Sequence, residues 1–173
     1  MKNNIVIVGY MGSTGATKIA EARRSELMKR FRPDYIDRIH TDGIFSEWNP
    51  ESLAMLPGCE TFHVGEGGVL KTLYELAVSH HCGMRIELKR IPFLQSTIEI
   101  CELYELNPYR LLSDGWVVLC DDEGLETLDK TLDVPHAKIG YLTNDNDKVV
   151  IDKMSLQHID KPSPDELYKI IKG

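Results

Sequence analysis

The stretch Gly65-Glu66-Gly67-Gly68-Val69-Leu70-Lys71-Thr72-Leu73-Tyr74-Glu75-Leu76-Ala77 constrains this chain more than any other. A glycine cluster runs straight into an amphipathic helix, with Leu70, Leu73, Tyr74 and Ala77 on one apolar stripe at helical spacing. Gly67 and Gly68 let the backbone turn sharply and approach closely whatever lies above it. The first amides of a helix lack internal partners and sit at the positive end of its dipole, so they suit an anion. The plain alternative is a glycine turn before a core helix. One glycine pair does not choose between the two.

A similar arrangement opens the chain. Ile5 to Val8 is a short β-branched run that reads as a buried strand. It leads into Gly9-Tyr10-Met11-Gly12-Ser13-Thr14-Gly15, and a helix is expected from Ala16 to Phe31, stopped by Pro33. Strand, glycine loop and helix form a phosphate cradle in outline. The loop is neither a Walker loop nor a dinucleotide fingerprint, because Lys18 lacks the preceding glycine and the GxGxxG spacing is absent.

With 173 residues, one domain spanning 1–173 is expected. The charge is −7, from 20 Lys and Arg against 27 Asp and Glu, which argues against nonspecific binding to nucleic acid or a membrane surface. No apolar run is long enough for a membrane span, and the N-terminus lacks a cleavable leader pattern. A cytoplasmic location is the simplest expectation. Cys59, Cys82, Cys101 and Cys120 are widely spaced, with no CxxC pair for a zinc ribbon or redox motif. Cys101 and Cys120 stand among apolar residues and read as buried thiols. His80-His81-Cys82 is the one cluster with metal-ligating chemistry, but adjacent residues at a helix end point in different directions. No metal site is expected.

Further elements follow from pattern. Pro33–Ile39 and Glu51–Leu56 read as short helical pieces, with turn signals at Asp42-Gly43, Asn49-Pro50 and Pro57-Gly58. Met84–Leu88 alternates like a half-buried strand, Gln95–Leu106 is helical, and Trp116–Cys120 is a second buried strand reached through Ser113-Asp114-Gly115. Asp121-Asp122-Glu123-Gly124 reads as a solvated corner before a helix over Leu125–Leu132. Ala137–Leu142 and Val149–Asp152 look like a hairpin around an Asn/Asp turn. Pro164-Asp165-Glu166-Leu167 starts a terminal helix. Together these predict an α/β (α+β) layered sandwich, a mixed β-sheet flanked by helices.

These segments, taken in order, resemble the C-terminal domain of the aminoimidazole ribonucleotide synthetase-related superfamily, nearest its hydrogenase-maturation-factor-like branch. The likeness rests on Val8 to Gly15, Glu66-Gly67-Gly68 with its helix, Thr97-Ile98-Glu99-Ile100-Cys101-Glu102, Leu106-Asn107-Pro108-Tyr109 through Ser113-Asp114-Gly115, and Ile139 to Thr143 with Pro164 to Leu167. It covers nearly the whole chain, and it implies the same mixed-sheet sandwich. In the full-length family two domains build an ATP site, and the N-terminal one supplies most magnesium-binding acids and the dimer barrel. The resemblance places this sequence on the second domain, with the N-terminal ATP/magnesium domain absent.

The sequence also departs from the family. Its central motif usually carries Asp where His63 stands and Thr where Gly65 stands, whereas Glu66, Gly67 and Gly68 are kept. The thiocarboxamide chemistry of the hydrogenase branch uses a C-terminal cysteine, and this sequence ends Ile170-Ile171-Lys172-Gly173.

The resulting phosphate- or nucleotide-binding candidates are Gly12, Gly15, His63, Gly65, Glu66, Gly67, Gly68, Ser113 and Gly115. Lys18, Lys71 and His63 are the available counter-charges. Lys71, one turn into the helix, reads first as solvated, and His63 reads first as a structural histidine in a hydrogen-bonded loop. Phosphoryl transfer needs metal and cationic groups around the phosphates, and no acidic constellation supplies them here. The expectation is a relative that is noncatalytic alone and binds a nucleotide, a phosphorylated small molecule or a partner protein, with ATP and Mg as the cofactors the resemblance implies. Alternatives are half of an ATP-dependent synthetase or hydrogenase maturation factor completed by a separate N-terminal-domain polypeptide, and a module that self-associates as a homo-oligomer.

Overall fold

A computed structural model describes residues 1–39 and 49–172. The turn expected at Asp42-Gly43 lies outside them. Among the described residues, β1 (Asn4–Val8), β2 (Cys59–Gly65), β3 (Gly83–Ile86), β4 (Ser113–Cys120), β5 (His136–Thr143), β6 (Lys148–Asp152) and β7 (Ser155–His158) form one mixed sheet in the order β2-β4-β1-β5-β3-β6-β7. The β3–β6 pair is parallel; every other neighbouring pair is antiparallel. The helices are α1 (Ser13–Ala22), α2 (Arg24–Leu27), α3 (Pro33–Ile39), α4 (Glu51–Ala54), α5 (Gly68–Ser79), α6 (Gln95–Leu103) and α7 (Asp122–Thr131).

β1 is apolar on both sides because it is covered on both. Ile5 and Ile7 face α5, packing with Leu70, Leu73, Leu76, Val117 and Leu119. Val6 and Val8 face the opposite layer, with Leu53 of α4, Leu128 of α7, Val118 and Cys120. The period-two alternation of β1 and β4 thus splits between two cores. A third cluster is built from helices: Ala16, Ile19 and Ala20 of α1 meet Leu27, Ile36, Ile100, Cys101, Leu111 and Leu167. No helix among the described residues is long and apolar enough to cross a membrane.

Several expected boundaries move. The helix expected over Ala16–Phe31 begins at Ser13 and breaks at Arg23, because Glu21, Arg23, Arg24, Ser25 and Glu26 offer the core nothing until Leu27. The acidic corner at Asp121–Gly124 is a helix start: Asp121 Oδ1 accepts from the Gly124 N–H at 2.7 Å, and Asp122 and Glu123 sit in the favourable first turn of α7. The expected β5–β6 hairpin is wrong. β3 lies between those strands, β6 pairs with it in parallel, and the hairpin is β6–β7 instead. The terminal helix is only a 3₁₀ turn, Glu166–Lys169, following the Pro162 and Pro164 segment.

Candidate functional site

Two glycine loops lie at the ends of β1 and β2, each feeding a helix. In the first, Gly12 takes φ +69° at the start of α1, a conformation that side chains with a Cβ resist. Three of its amides donate to the protein's own carbonyls. Gly9 N–H donates to Pro135 O at 2.7 Å, Met11 N–H to Pro92 O at 3.0 Å, and Gly15 N–H to Leu112 O at 2.9 Å. Gly15 is buried against Leu111, and a Cβ there would stand 2.6 Å from Leu111 Cδ1. Gly12 is likewise buried, facing Thr97, Pro108 and Leu111.

Ser113 and Gly115 belong to β4 rather than to a loop. Ser113 is fully buried; its Oγ accepts from the Gly115 N–H at 3.2 Å and donates to Met11 Sδ at 3.5 Å. Gly115 lies against Met11 and the Val8 carbonyl. These four positions therefore join β1, α1 and β4 by packing.

The second loop is different. Gly65, Gly67 and Gly68 have φ of +67°, +92° and +75°, and Gly67 starts the twelve-residue α5. Gly68 is pressed on the backbone of Tyr109 and Arg110, where a Cβ would stand 2.6 Å from the Tyr109 carbonyl oxygen. The buried Gly67 N–H donates to an anion: Asp165 Oδ2, at 2.6 Å. Asp165 Oδ1 accepts from Leu112 N–H at 3.1 Å and Leu167 N–H at 2.9 Å. Its residue is only 3% exposed. Amide donors and the positive end of α5 stabilise the buried carboxylate. Leu112 links the two loops, its carbonyl serving Gly15 and its N–H serving Asp165.

Around this buried seat the surface is polar. Lys71 is half-buried, and its stem crosses Gly67; a Cβ on Gly67 would stand 3.1 Å from Lys71 Cβ. His63, Glu66, Lys71, Thr72 and Glu75 line a shallow cleft of about 300 Å³. His63 packs edge-on against Trp116, its register partner on β4, with 3.6 Å between Nε2 and Asp114 Oδ1. Asp114 Oδ2 in turn accepts from Thr14 Oγ1 at 2.8 Å. Glu66 Oε1 accepts from Tyr168 Oη at 2.7 Å, a bond that raises the phenol above its ordinary pKa. A larger cleft of about 660 Å³ lies beyond, bounded by Lys18, Glu21, Glu66, Asp165, Tyr168 and Ile171.

The structure thus brings His63, Gly65, Glu66, Gly67, Gly68 and Lys71 together and leaves Gly12, Gly15, Ser113 and Gly115 in the packed joint beside them. Sequence reasoning missed Asp165, Tyr168, Asp114 and Trp116. The Pro-Asp-Glu signal marked Asp165 as a cap, which it is for Leu167, but nothing local reveals its reach to Gly67.

The residues fit an anion, since the chain itself seats a carboxylate on the loop. The nearby carboxylates each accept hydrogen bonds, Asp165 from backbone amides, Glu66 from Tyr168 and Asp114 from Thr14. No group of three or more metal-ligating side chains occurs among the described residues. The thiols of Cys101 and Cys120 are pushed up to about 12, first by burial and then by Glu166 and by Cys59 with Asp121 respectively, so neither is a poised nucleophile.

A family model described as AIR synthase related protein, C-terminal domain, matches residues 62–153. Among solved structures, HypE of E. coli, a hydrogenase maturation protein, aligns with a TM-score of 0.72 at 19% identity, covering 98% of this chain and 53% of that one. HypE in complex with ATP aligns at 0.69 and 16% identity, covering 96% and 52%. Thiamine monophosphate kinase (ThiL) from Aquifex aeolicus aligns at 0.58 and 15% identity, covering 87% and 52%. The chain spans about half the length of these relatives, and at such identities the likeness is one of fold. No curated protein matches by sequence.

Proposed function

The chain belongs to the AIR synthase related family, and from that premise we propose that it binds a nucleotide or phosphorylated small molecule at the Gly65–Gly68 loop without completing a reaction alone. One observation carries the reading: the loop holds a buried anion on the Gly67 amide at the start of α5, flanked by Lys71. Phosphate oxygens accept from such amides as carboxylates do. Gly65, Gly67 and Gly68 would supply the backbone, while Lys71 and His63 would supply countercharge at the rim. The ATP complex of HypE, on the same fold, supports a nucleotide as ligand.

Thermal unfolding with ATP, ADP, AMP and inorganic phosphate, each with and without magnesium, tests this. A ligand that binds only the folded chain raises Tm, by an amount that grows with ligand concentration. A shift with ATP or phosphate is expected; no shift with any of them removes the proposal.

A second reading follows from the coverage of about half of each solved relative. The domain would complete an ATP-dependent activity with the other half of the family fold, carried in the same polypeptide or a separate one. Nucleotide protection that appears only after a polypeptide with the fold of HypE's remaining half is added would favour it. Concentration-independent sedimentation as a monomer would count against self-association as the function.

A further inference from the structure

The seat for an anion and the group that fills it are 98 residues apart in the sequence. We propose that the C-terminal turn around Asp165 is a displaceable plug, occupying the glycine loop in place of the phosphate ligand and competing with it. This rests on the reading of Gly65–Gly68 as a phosphate site.

The competition is steric and electrostatic. The Gly67 N–H is buried beneath the Asp165 carboxylate, so no external anion reaches it while Asp165 is in place. Two negative groups cannot share one amide. The plug is held by side-chain packing and by single hydrogen bonds. Leu167 enters the helical cluster with Ile170 and Ile171 against it, Leu112 N–H donates to Asp165, Tyr168 donates to Glu66 at an exposed site, Arg23 Nη2 donates to Ile170 O at 3.1 Å, and Arg110 Nη1 donates to Ser163 Oγ at 3.3 Å. Upstream, residues 160–164 are exposed and lie outside any helix or strand, after Ile159 N–H donates to Lys148 O beside the sheet. Pro162 and Pro164 remove backbone donors from that tether. Releasing it costs those contacts but no sheet ladder and no α-helix.

The consequence is a two-state equilibrium. The ligand binds only the open state, so its apparent affinity is lowered by the fraction of molecules that are open. Weakening the plug raises affinity, and ligand binding in turn frees the turn, because the coupling is reciprocal. The exposed Tyr168–Glu66 bond is a second clasp that adds to the closed state without touching the seat itself.

Calorimetric titration with inorganic phosphate and with ATP, paired with hydrogen exchange across residues 165–172, tests the competition. Asp165→Asn, which keeps shape and loses charge, is expected to bind phosphate about tenfold more tightly than the wild type, and Tyr168→Phe about threefold, the scale of losing charged and neutral hydrogen bonds. Phosphate added to the wild type should speed exchange at 165–172; this arm needs no variant to fold. Equal phosphate affinity in all three proteins, with exchange unchanged on binding, overturns the plug while leaving the phosphate site standing. Absence of phosphate and ATP binding in every protein overturns the site and the plug together.

Discussion

The two glycine loops use the same local grammar and end differently. Each follows a strand, places a left-handed glycine at a helix start and precedes an apolar stripe. In the first, amide donors go to neutral carbonyls of Pro135, Pro92 and Leu112, and Gly15 lets Leu111 pack against α1. In the second, the Gly67 donor goes to a carboxylate. Glycine before a helix therefore states only that backbone must come close to something. Whether that is a leucine, a carbonyl or an anion is decided by the element that packs there, and here both neighbours come from distant sequence.

Substitutions can break this contrast. The largest effect is expected at Gly68→Ala, where a left-handed φ and contact with the fixed Tyr109 backbone combine to cost about 3 kcal/mol or more, read as a lowered denaturant midpoint. Gly15→Ala should cost about 2 kcal/mol through overpacking against Leu111, yet leave phosphate affinity unchanged. Gly67→Ala should do the reverse. Its new Cβ meets the flexible Lys71 stem, so stability falls by only about 1 kcal/mol, while phosphate binding is lost. Phosphate binding retained in Gly67→Ala but lost in Gly15→Ala would invert the assignment of the two loops.

Smaller effects sharpen the packing side. Cys101 lies in the cluster behind the first loop, and burial raises its thiol, as it does for Cys120. Both should resist iodoacetamide at pH 8, with the partly exposed Cys59 and Cys82 reacting first. Because the folded thiols hold their protons more tightly than unfolded ones, their stabilising contribution is fully present below pH 9 and is lost as pH rises from there through about 12. Denaturant midpoints at pH 8 and pH 10 check the sign. Least of all, Thr14→Val removes an exposed bond to Asp114 and should change stability by no more than about 0.5 kcal/mol.

What the sequence disclosed follows the range of each interaction. The β1 run, the α5 stripe and the Gly67 turn are set by neighbours a few residues away, and all three were readable. β6 is legible as a strand but its partner is not, because its parallel pairing with β3 joins segments some sixty residues apart, as in the Arg85–Val149 pair, and no turn signal encodes such a crossover. β7 is exposed throughout, so Ser155-Leu156-Gln157-His158 carries no alternation of burial for a pattern to report. Within the candidate site, the glycine turn into α5 is legible in the sequence, whereas Asp165, the partner of the Gly67 amide, is legible only as a cap. The carboxylate does both jobs, with Leu167 two residues on and Gly67 far back in the chain.

The central claim is that the second loop, and not the first, is the anion seat. An NMR titration of the ¹⁵N-labelled chain with inorganic phosphate follows both at once through their glycine amides. The account predicts saturable shifts at Gly67 and Gly68, with Gly12 and Gly15 little moved. Shifts centred on Gly12 and Gly15, or none at any of the four up to the concentration where nonspecific effects set in, would contradict it.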